Sequence, residues 1–224
     1  TDVTFTPSEL DKLADCPFVF LARHRLKVRA VDLPDFEVSP LEIGILAHRI
    51  LRDFYAVPPG DSEDQALARM REVIARQLAP VDINGQGANS VIDPSLWKIR
   101  RPQLVRALLE YTKFAVRDTR DGYETLTEYL DEYLPAATLG VTRVAGKPDR
   151  VAIRRIDRTL TGIRIDDFKY SSASSDKNKQ LQQSFQIPIY AHLTAQMLEA
   201  GPEVMIEGRY LLLRSPSKPV VAQS

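Results

Sequence analysis

Cysteine is almost missing from this 224-residue chain, where Cys16 stands alone. One thiol excludes an internal disulfide framework and fits a reducing compartment, so a cytoplasmic location is expected. Net charge is missing too. Thirty Lys and Arg cancel thirty Asp and Glu, so a nucleic-acid partner would have to be held by local patches and not by overall charge. No run approaches the ~20 apolar residues of a membrane span. No basic-then-apolar signal peptide opens the chain, and no membrane partner is expected. Internal repeats are absent.

The remaining composition is that of an ordinary globular protein, 44% apolar and 27% charged, and the length suits one domain with a sizeable core. The basic runs are Arg23–Arg29, Lys98–Arg101 and Arg154–Arg155 with Arg158. Taken alone, each reads as a solvated face. The chain begins at Thr1 without a methionine, and its Pro216–Ser224 tail shows no structural ending. A fragment of a longer chain is therefore expected.

Three helix starts share one design: Thr6-Pro7-Ser8-Glu9, Ser39-Pro40-Leu41-Glu42 and Asp93-Pro94-Ser95. Each sets a capping side chain before a proline, which suits the first helical position because its missing N–H would be unpaired there anyway. In the first two, Glu9 and Glu42 complete a capping box. The first helix carries Leu10, Leu13 and Ala14 and is disrupted near Pro17. The second carries Ile43, Leu46, Ala47, Ile50, Leu51 and Phe54 at helical spacing and ends before Pro58-Pro59-Gly60. A third runs from Asp61 to about Leu78, and residues 85–90 read as a loop. Helix resumes after Asp93, is interrupted near Pro102 and continues to about Asp118. From about Leu126 to Tyr170 the Val, Ile, Tyr and Thr content predicts three strands. Ser171–Lys179 reads as a polar, mobile loop, Gln180–Ala200 as a last helix and Val204–Leu213 as a final strand. Residues 1–120 are thus mainly helical, 121–224 carry the sheet, and together they predict an α/β fold with a mixed sheet flanked by helices.

The stretch Gly162-Ile163-Arg164-Ile165-Asp166-Asp167-Phe168-Lys169-Tyr170 carries the most chemistry. Strand side chains alternate, so Ile163, Ile165, Asp167 and Lys169 share one face. An apolar stripe that ends in a carboxylate and an ammonium is costly unless those groups are paired, hydrogen-bonded or bound to a metal. Upstream, Val144–Ile153 reads as a strand with Asp149 in phase with Ala145, Val151 and Ile153, and antiparallel neighbours would set Asp149 beside Asp167. Two adjacent carboxylates repel, and a hard divalent ion such as Mg²⁺ or Mn²⁺ relieves this, with the Phe168 carbonyl as a further oxygen ligand. Lys169 would orient or help deprotonate a bound water. The bland alternative pairs Asp149 with Arg150 and Asp167 with Lys169. At ~6% frequency for each residue type, about one Asp-x-Lys arises by chance in such a chain.

His48 follows Gly44 by one helical turn, and Gly44 would let that helix approach the sheet and present His48 to the metal. A lone histidine near an apolar face is more often structural. Gln186 and Tyr190 share a helix face, with Pro188 between them expected to bend the helix.

The ordered set Ser8-x-Leu10-x-x-Leu13-x-x-Cys16-Pro17-Phe18-x-Phe20, Gly44-x-x-x-His48-x-x-Leu51, Gly146-Lys147-Pro148-Asp149-Arg150, Asp167-Phe168-Lys169-Tyr170 and Gln186-Ile187-Pro188-Ile189-Tyr190 resembles the RecB/AddB branch of the PD-(D/E)XK nuclease superfamily. It is most similar to the nuclease domain of AddB-type helicase–nuclease subunits and spans about Phe5 to Leu213. The resemblance implies a restriction-endonuclease-like fold and Mg²⁺-dependent cleavage of DNA, as an exonuclease in double-strand-break repair and recombination. It implies a helicase partner, either a subunit or a region of the same polypeptide. His48, Asp149, Asp167 and the Phe168 carbonyl would bind metal, Lys169 would serve the attacking water, and Gln186 and Tyr190 would be the motif after the catalytic strand. An acidic residue on the first strand, Glu132 before Glu128, would match another family position. In AddB-type relatives the Cys-Pro-Phe cysteine is one of four ligands to an iron–sulfur cluster. The other three lie near the domain's C-terminus, and one thiolate cannot build the cluster: either the sequence stops at Ser224 before those cysteines or this lineage lacks the cluster, and within the chain Cys16 reads as a core residue. Two alternatives stay open: an inactive DNA-binding or scaffold module that keeps the nuclease fold, and a stand-alone RecB-like exonuclease.

Overall fold

The computed structural model describes residues 3–28, 40–58, 62–87 and 92–221. The predicted Ser39 cap, residues 59–61 and residues 88–90 of the predicted loop lie outside that set. Strand β1 (Thr4–Phe5) leads into helix α1 (Pro7–Asp15), whose Thr6 amide donates to Glu9 Oε2 at 2.9 Å. The break at Pro17 is as expected. Cys16 stands extended between α1 and α2 (Pro17–Phe20), and a π-helical turn, Leu21–Arg25, follows. Cys16 is half-buried and outside the core clusters. This corrects its reading as a core residue: the residue before a proline is pushed to extended backbone, and here it serves as the junction between two helices.

Three long helices form one layer: α3 (Pro40–Tyr55), α4 (Glu63–Asn84) and α5 (Pro94–Asp118). All six apolar positions predicted for α3 are buried. Helix α4 runs past its expected end near Leu78, and the expected break in α5 near Pro102 does not occur. Helix α4 continues through Pro80 because buried Leu78 and Val81 flank it, and it stops at Gly85, whose φ of 68° is the left-handed cap a glycine adopts freely. Helix α5 passes through Pro102 because Trp97, Leu104 and Leu108 are buried on either side. Packing overrides the local cost of a missing N–H.

The strands make two mixed sheets. In the larger, β2 (Glu124–Thr125), β5 (Arg150–Ile156), β6 (Thr159–Lys169), β7 (Met205–Leu212) and β8 (Val220–Val221) lie in that order, with β6–β7 parallel and the other pairs antiparallel. In the smaller, β4 (Thr142–Val144) pairs with β1 in parallel and with β3 (Ala137–Leu139) antiparallel. Val144–Ile153 is therefore not one strand. Pro148 has no N–H for a ladder, and the chain passes from one sheet to the other there. The tail also differs from expectation, since β8 closes the edge of β7.

Ser171–Lys179 is not all loop. Ser174 caps α6 (Ser175–Gln182), and the predicted last helix is instead α6 plus α7 (Gln186–Met197). Pro188 falls in the first turn of α7, where its missing donor costs nothing, so it does not bend the helix. Helices α3, α4 and α5 bury one face of the large sheet, with Phe168, Leu211 and Leu213. Helices α6 and α7 cover the other, over Ile153, Ile163, Ile165, Tyr210 and Leu212. This is a mixed α/β architecture consistent with a restriction-endonuclease-like fold.

Candidate functional site at the carboxyl end of the central strand

Strand β6 runs into the site with its faces already sorted. Ile163, Ile165 and Asp167 look toward α7, while Phe168 looks the other way, stacked 6.2 Å from Tyr55 and edge-on to Tyr111 at 5.5 Å. The β5–β6 register pairs Arg150 with Asp166, and one step beyond it Asp149 stands across from Asp167. Asp149 Oδ2 accepts the Phe168 amide at 2.6 Å, and its other oxygen lies 2.9 Å from His48 Nδ1. His48 Nε2 is 2.9 Å from the Phe168 carbonyl oxygen. Lys169 Nζ sits 2.5 Å from Asp167 Oδ2 and donates to Gln186 Oε1 at 3.0 Å. His48, Asp149, Asp167, Phe168, Lys169 and Gln186 are thus drawn from β6, the residue that leads into β5, α3 and α7 into one cluster.

Burial raises the Asp167 carboxyl to about 6; the Lys169 ammonium opposes this and Asp149 adds to it. Burial works against the Lys169 ammonium, but Asp167 outweighs it and the lysine pKa is raised. Lys169 is therefore a retained cation. Burial likewise opposes the His48 imidazolium, and Asp149 outweighs it. Both ring nitrogens face acceptors, which suits the doubly protonated ring, and a metal bound by His48 would have to displace one of those ring protons. Tyr190 lies against Gly146, and burial, with Asp167 and Asp149 nearby, keeps its phenol protonated.

Behind the cluster lies a row that sequence reasoning missed. Asp166 is fully buried, takes Arg150 Nη1 at 2.6 Å and Arg209 Nε at 2.8 Å, and Arg209 goes on to Asp118 at 2.6 and 2.9 Å. Arg150 also lies 4.5 Å from the Tyr55 ring centre. These residues alternate with Asp149 and Asp167 and occupy the opposite face, so the row fixes three strands in register from behind. Asp149 does not pair with its neighbour Arg150; only the Asp167–Lys169 half of the bland reading is present.

Two expectations fail. Glu128 lies in a 3-10 turn and Glu132 beyond it, both exposed, so neither is on a strand. Asp131 faces the cavity instead, 2.8 Å from Lys147. A Cβ added to Gly44 would meet nothing within 4 Å, so Gly44 mediates no close helix–sheet approach. It lines, with His48, Arg49, Arg52, Asp131, Lys147 and Lys169, a cavity of about 550 Å³. The lysine inside the Gly-Lys-Pro-Asp motif was the one available hint of these cavity residues.

One imidazole, two carboxylates and a carbonyl form an oxygen-rich donor set of the kind hard divalent ions take. Asp167 Oδ2 is buried with the Lys169 ammonium as its contact, and a carboxylate oxygen held by one cation keeps lone-pair capacity for a metal. Among the described residues, no three His, Cys, Asp or Glu side chains are gathered as a ready ligand shell. His48 and Asp149 are turned to each other. The chemistry of the set fits a metal. No helix among the described residues is long and apolar enough to cross a membrane.

The family model of the PD-(D/E)XK nuclease superfamily matches residues 4–223. No curated protein matches the chain.

Proposed function

The chain belongs to the PD-(D/E)XK nuclease superfamily, and from that premise we propose that it is a Mg²⁺- or Mn²⁺-dependent DNA exonuclease of the RecB/AddB type. The observation that carries the reading is the convergence of His48, Asp149, Asp167, Phe168 and Lys169 at the end of β6. His48, both aspartates and the Phe168 carbonyl would hold the ion. Such an ion, when bound, lowers the pKa of a coordinated water and offsets charge on the phosphate.

Lys169 is held between Asp167 and Gln186. There it orients the attacking water or helps to deprotonate it, and faces the phosphate charge. Gln186 fixes the lysine head. Tyr190 fills the space beside both carboxylates and keeps solvent from them. The Arg150–Asp166–Arg209 row holds Asp149 opposite Asp167. The RecB/AddB assignment rests on the five ordered motifs, and with it go a helicase partner and a role in double-strand-break repair and recombination.

The test is cleavage of linear and covalently closed DNA, with Mg²⁺ or EDTA, by this chain and by Asp167→Ala and Lys169→Ala. Metal-dependent digestion of linear DNA is expected, with circles spared and both variants reduced at least ~100-fold. Cleavage that survives Asp167→Ala sinks the site assignment. Rapid nicking of closed circles sinks the exonuclease reading. DNA binding without cleavage by the parent chain makes it a scaffold module.

A further inference from the structure

Past Lys169 the chain turns at Tyr170 toward a second concavity. Its walls are one face of α5 and the segment after β7: Arg106, Lys113 and Arg117 on the helix, Ser172, and Arg214 with Ser215 opposite. The groove holds about 620 Å³. Arg106, Glu110, Lys113 and Arg117 recur at three- and four-residue steps, so they form one stripe. Glu110 is taken by Lys113 at 2.9 Å. Arg106, Arg117 and Arg214 are exposed and, among the described residues, form no ion pair. The arginines that brace the fold behave differently: Arg101, Arg150, Arg164 and Arg209 each grip a carboxylate.

The groove joins the site without a break in the chain. Lys169 and Tyr170 line the catalytic cavity, and Ser172, two residues on, lines the groove. The Leu213 amide donates to the Lys169 carbonyl at 2.9 Å, which ties the groove's far wall to the end of β6. From Arg106 to Arg117 the stripe covers about 16 Å of helix axis, near the rise of five nucleotides of one duplex strand.

We propose that this groove is a track for the sugar–phosphate backbone of the DNA, gripping the strand beside the cleavage site through Arg106, Arg117 and Arg214. The proposal rests on the nuclease reading for the identity of the polyanion. It assigns to local geometry the affinity that a chain of zero net charge lacks. It also selects among basic clusters: Arg155 and Arg158 lie at the β5–β6 hairpin, at the opposite end of β6 from Lys169, and take no part.

The experiment is fluorescence anisotropy of a labelled oligonucleotide over a salt series in EDTA, so that binding is read without cleavage. Three proteins are compared: the parent, Arg106→Ala/Arg117→Ala/Arg214→Ala, and the charge-matched Arg71→Ala/Arg155→Ala/Arg158→Ala. The groove variant should bind at least ~10-fold more weakly and lower the slope of log K against log salt by ~2 to 3, about three phosphates. The charge-matched variant should keep the parent slope. An unchanged slope in the groove variant, or an equal fall in both, overturns the track. A p-nitrophenyl ester of a single nucleotide is too short to reach the groove and should be hydrolysed equally by parent and groove variant in Mg²⁺. A parent that hydrolyses nothing refutes the nuclease reading and leaves the EDTA slopes to decide the track by themselves.

Discussion

Gly146→Ala should damage the site through Tyr190, although neither residue ionises in the chemistry. A Cβ at Gly146 would lie 2.6 Å from Tyr190 Cε1, 2.8 Å from its Cδ1 and 3.3 Å from Leu193 Cδ1. Carbon pairs settle at about 3.5–4.0 Å, so the ring must retreat by about 1 Å. Tyr190 is 6% exposed, and a ring that deep has little room. Overpacking of this kind costs about 1–3 kcal/mol. The same displacement pulls on α7, where Gln186 holds Lys169 at 3.0 Å, and a 1 Å misplacement at reacting groups costs on the order of 10²-fold in rate. Urea unfolding gives the first quantity and turnover of linear DNA at saturating Mg²⁺ the second. A double-mutant cycle isolates the cause. In a Tyr190→Ala background, itself worth about 3–5 kcal/mol, the new methyl meets only Leu193 and should cost little. If Gly146→Ala destabilises both backgrounds equally within ~0.5 kcal/mol, the contact between these two motifs is not why the glycine is there.

Two further outcomes follow from the same geometry. Gly44→Ala should stabilise α3 by about 0.5–1 kcal/mol, because helical glycine is costly and the added methyl meets nothing; it should also raise KM for DNA, because that methyl projects into the cavity, and a destabilised variant with parental KM would refute both halves. Asp118 is pushed up by burial, but its Arg209 hydrogen bonds and charge outweigh this and hold the carboxyl below its usual range. A depressed carboxyl stabilises fully above its unfolded value of ~3.9 and loses that contribution as pH falls through the lower native value. The Tm gap between parent and Asp118→Asn should therefore be wide at pH 7, begin to narrow only below about pH 4 and go on narrowing as the acid end is approached; a gap that does not narrow at all below pH 4 would mean that Asp118 acts through shape and not charge.

The legible parts of the sequence are those whose cause is local. The α3 stripe, the Thr6 and Asp93 caps and the parity of Asp167 with Lys169 all depend on residues a turn or two apart, and all three hold. Helix α6 was invisible because it buries a single residue, Leu181, which gives no period to read. Pro102 misled because burial on both sides of it outweighs the donor it lacks. Gly44 misled in another way: its packing reason was sought in the sheet, and the space it leaves open belongs to the cavity. The Arg150–Asp166–Arg209 row could not be read at all. It needs the parallel β6–β7 register that sets Arg209 beside Asp166, and that register is fixed only after α6 and α7 have crossed the sheet. Yet parity already held the clue. In Asp149-Arg150 and in Asp166-Asp167, one residue of each pair must face the helices α3 to α5 while the other faces the cluster. Two charged residues side by side on a buried strand cannot both serve one site, so Arg150 in the first pair and Asp166 in the second have to find a partner behind it. The pairs that look redundant in sequence are one charge for the chemistry and one to hold it in place.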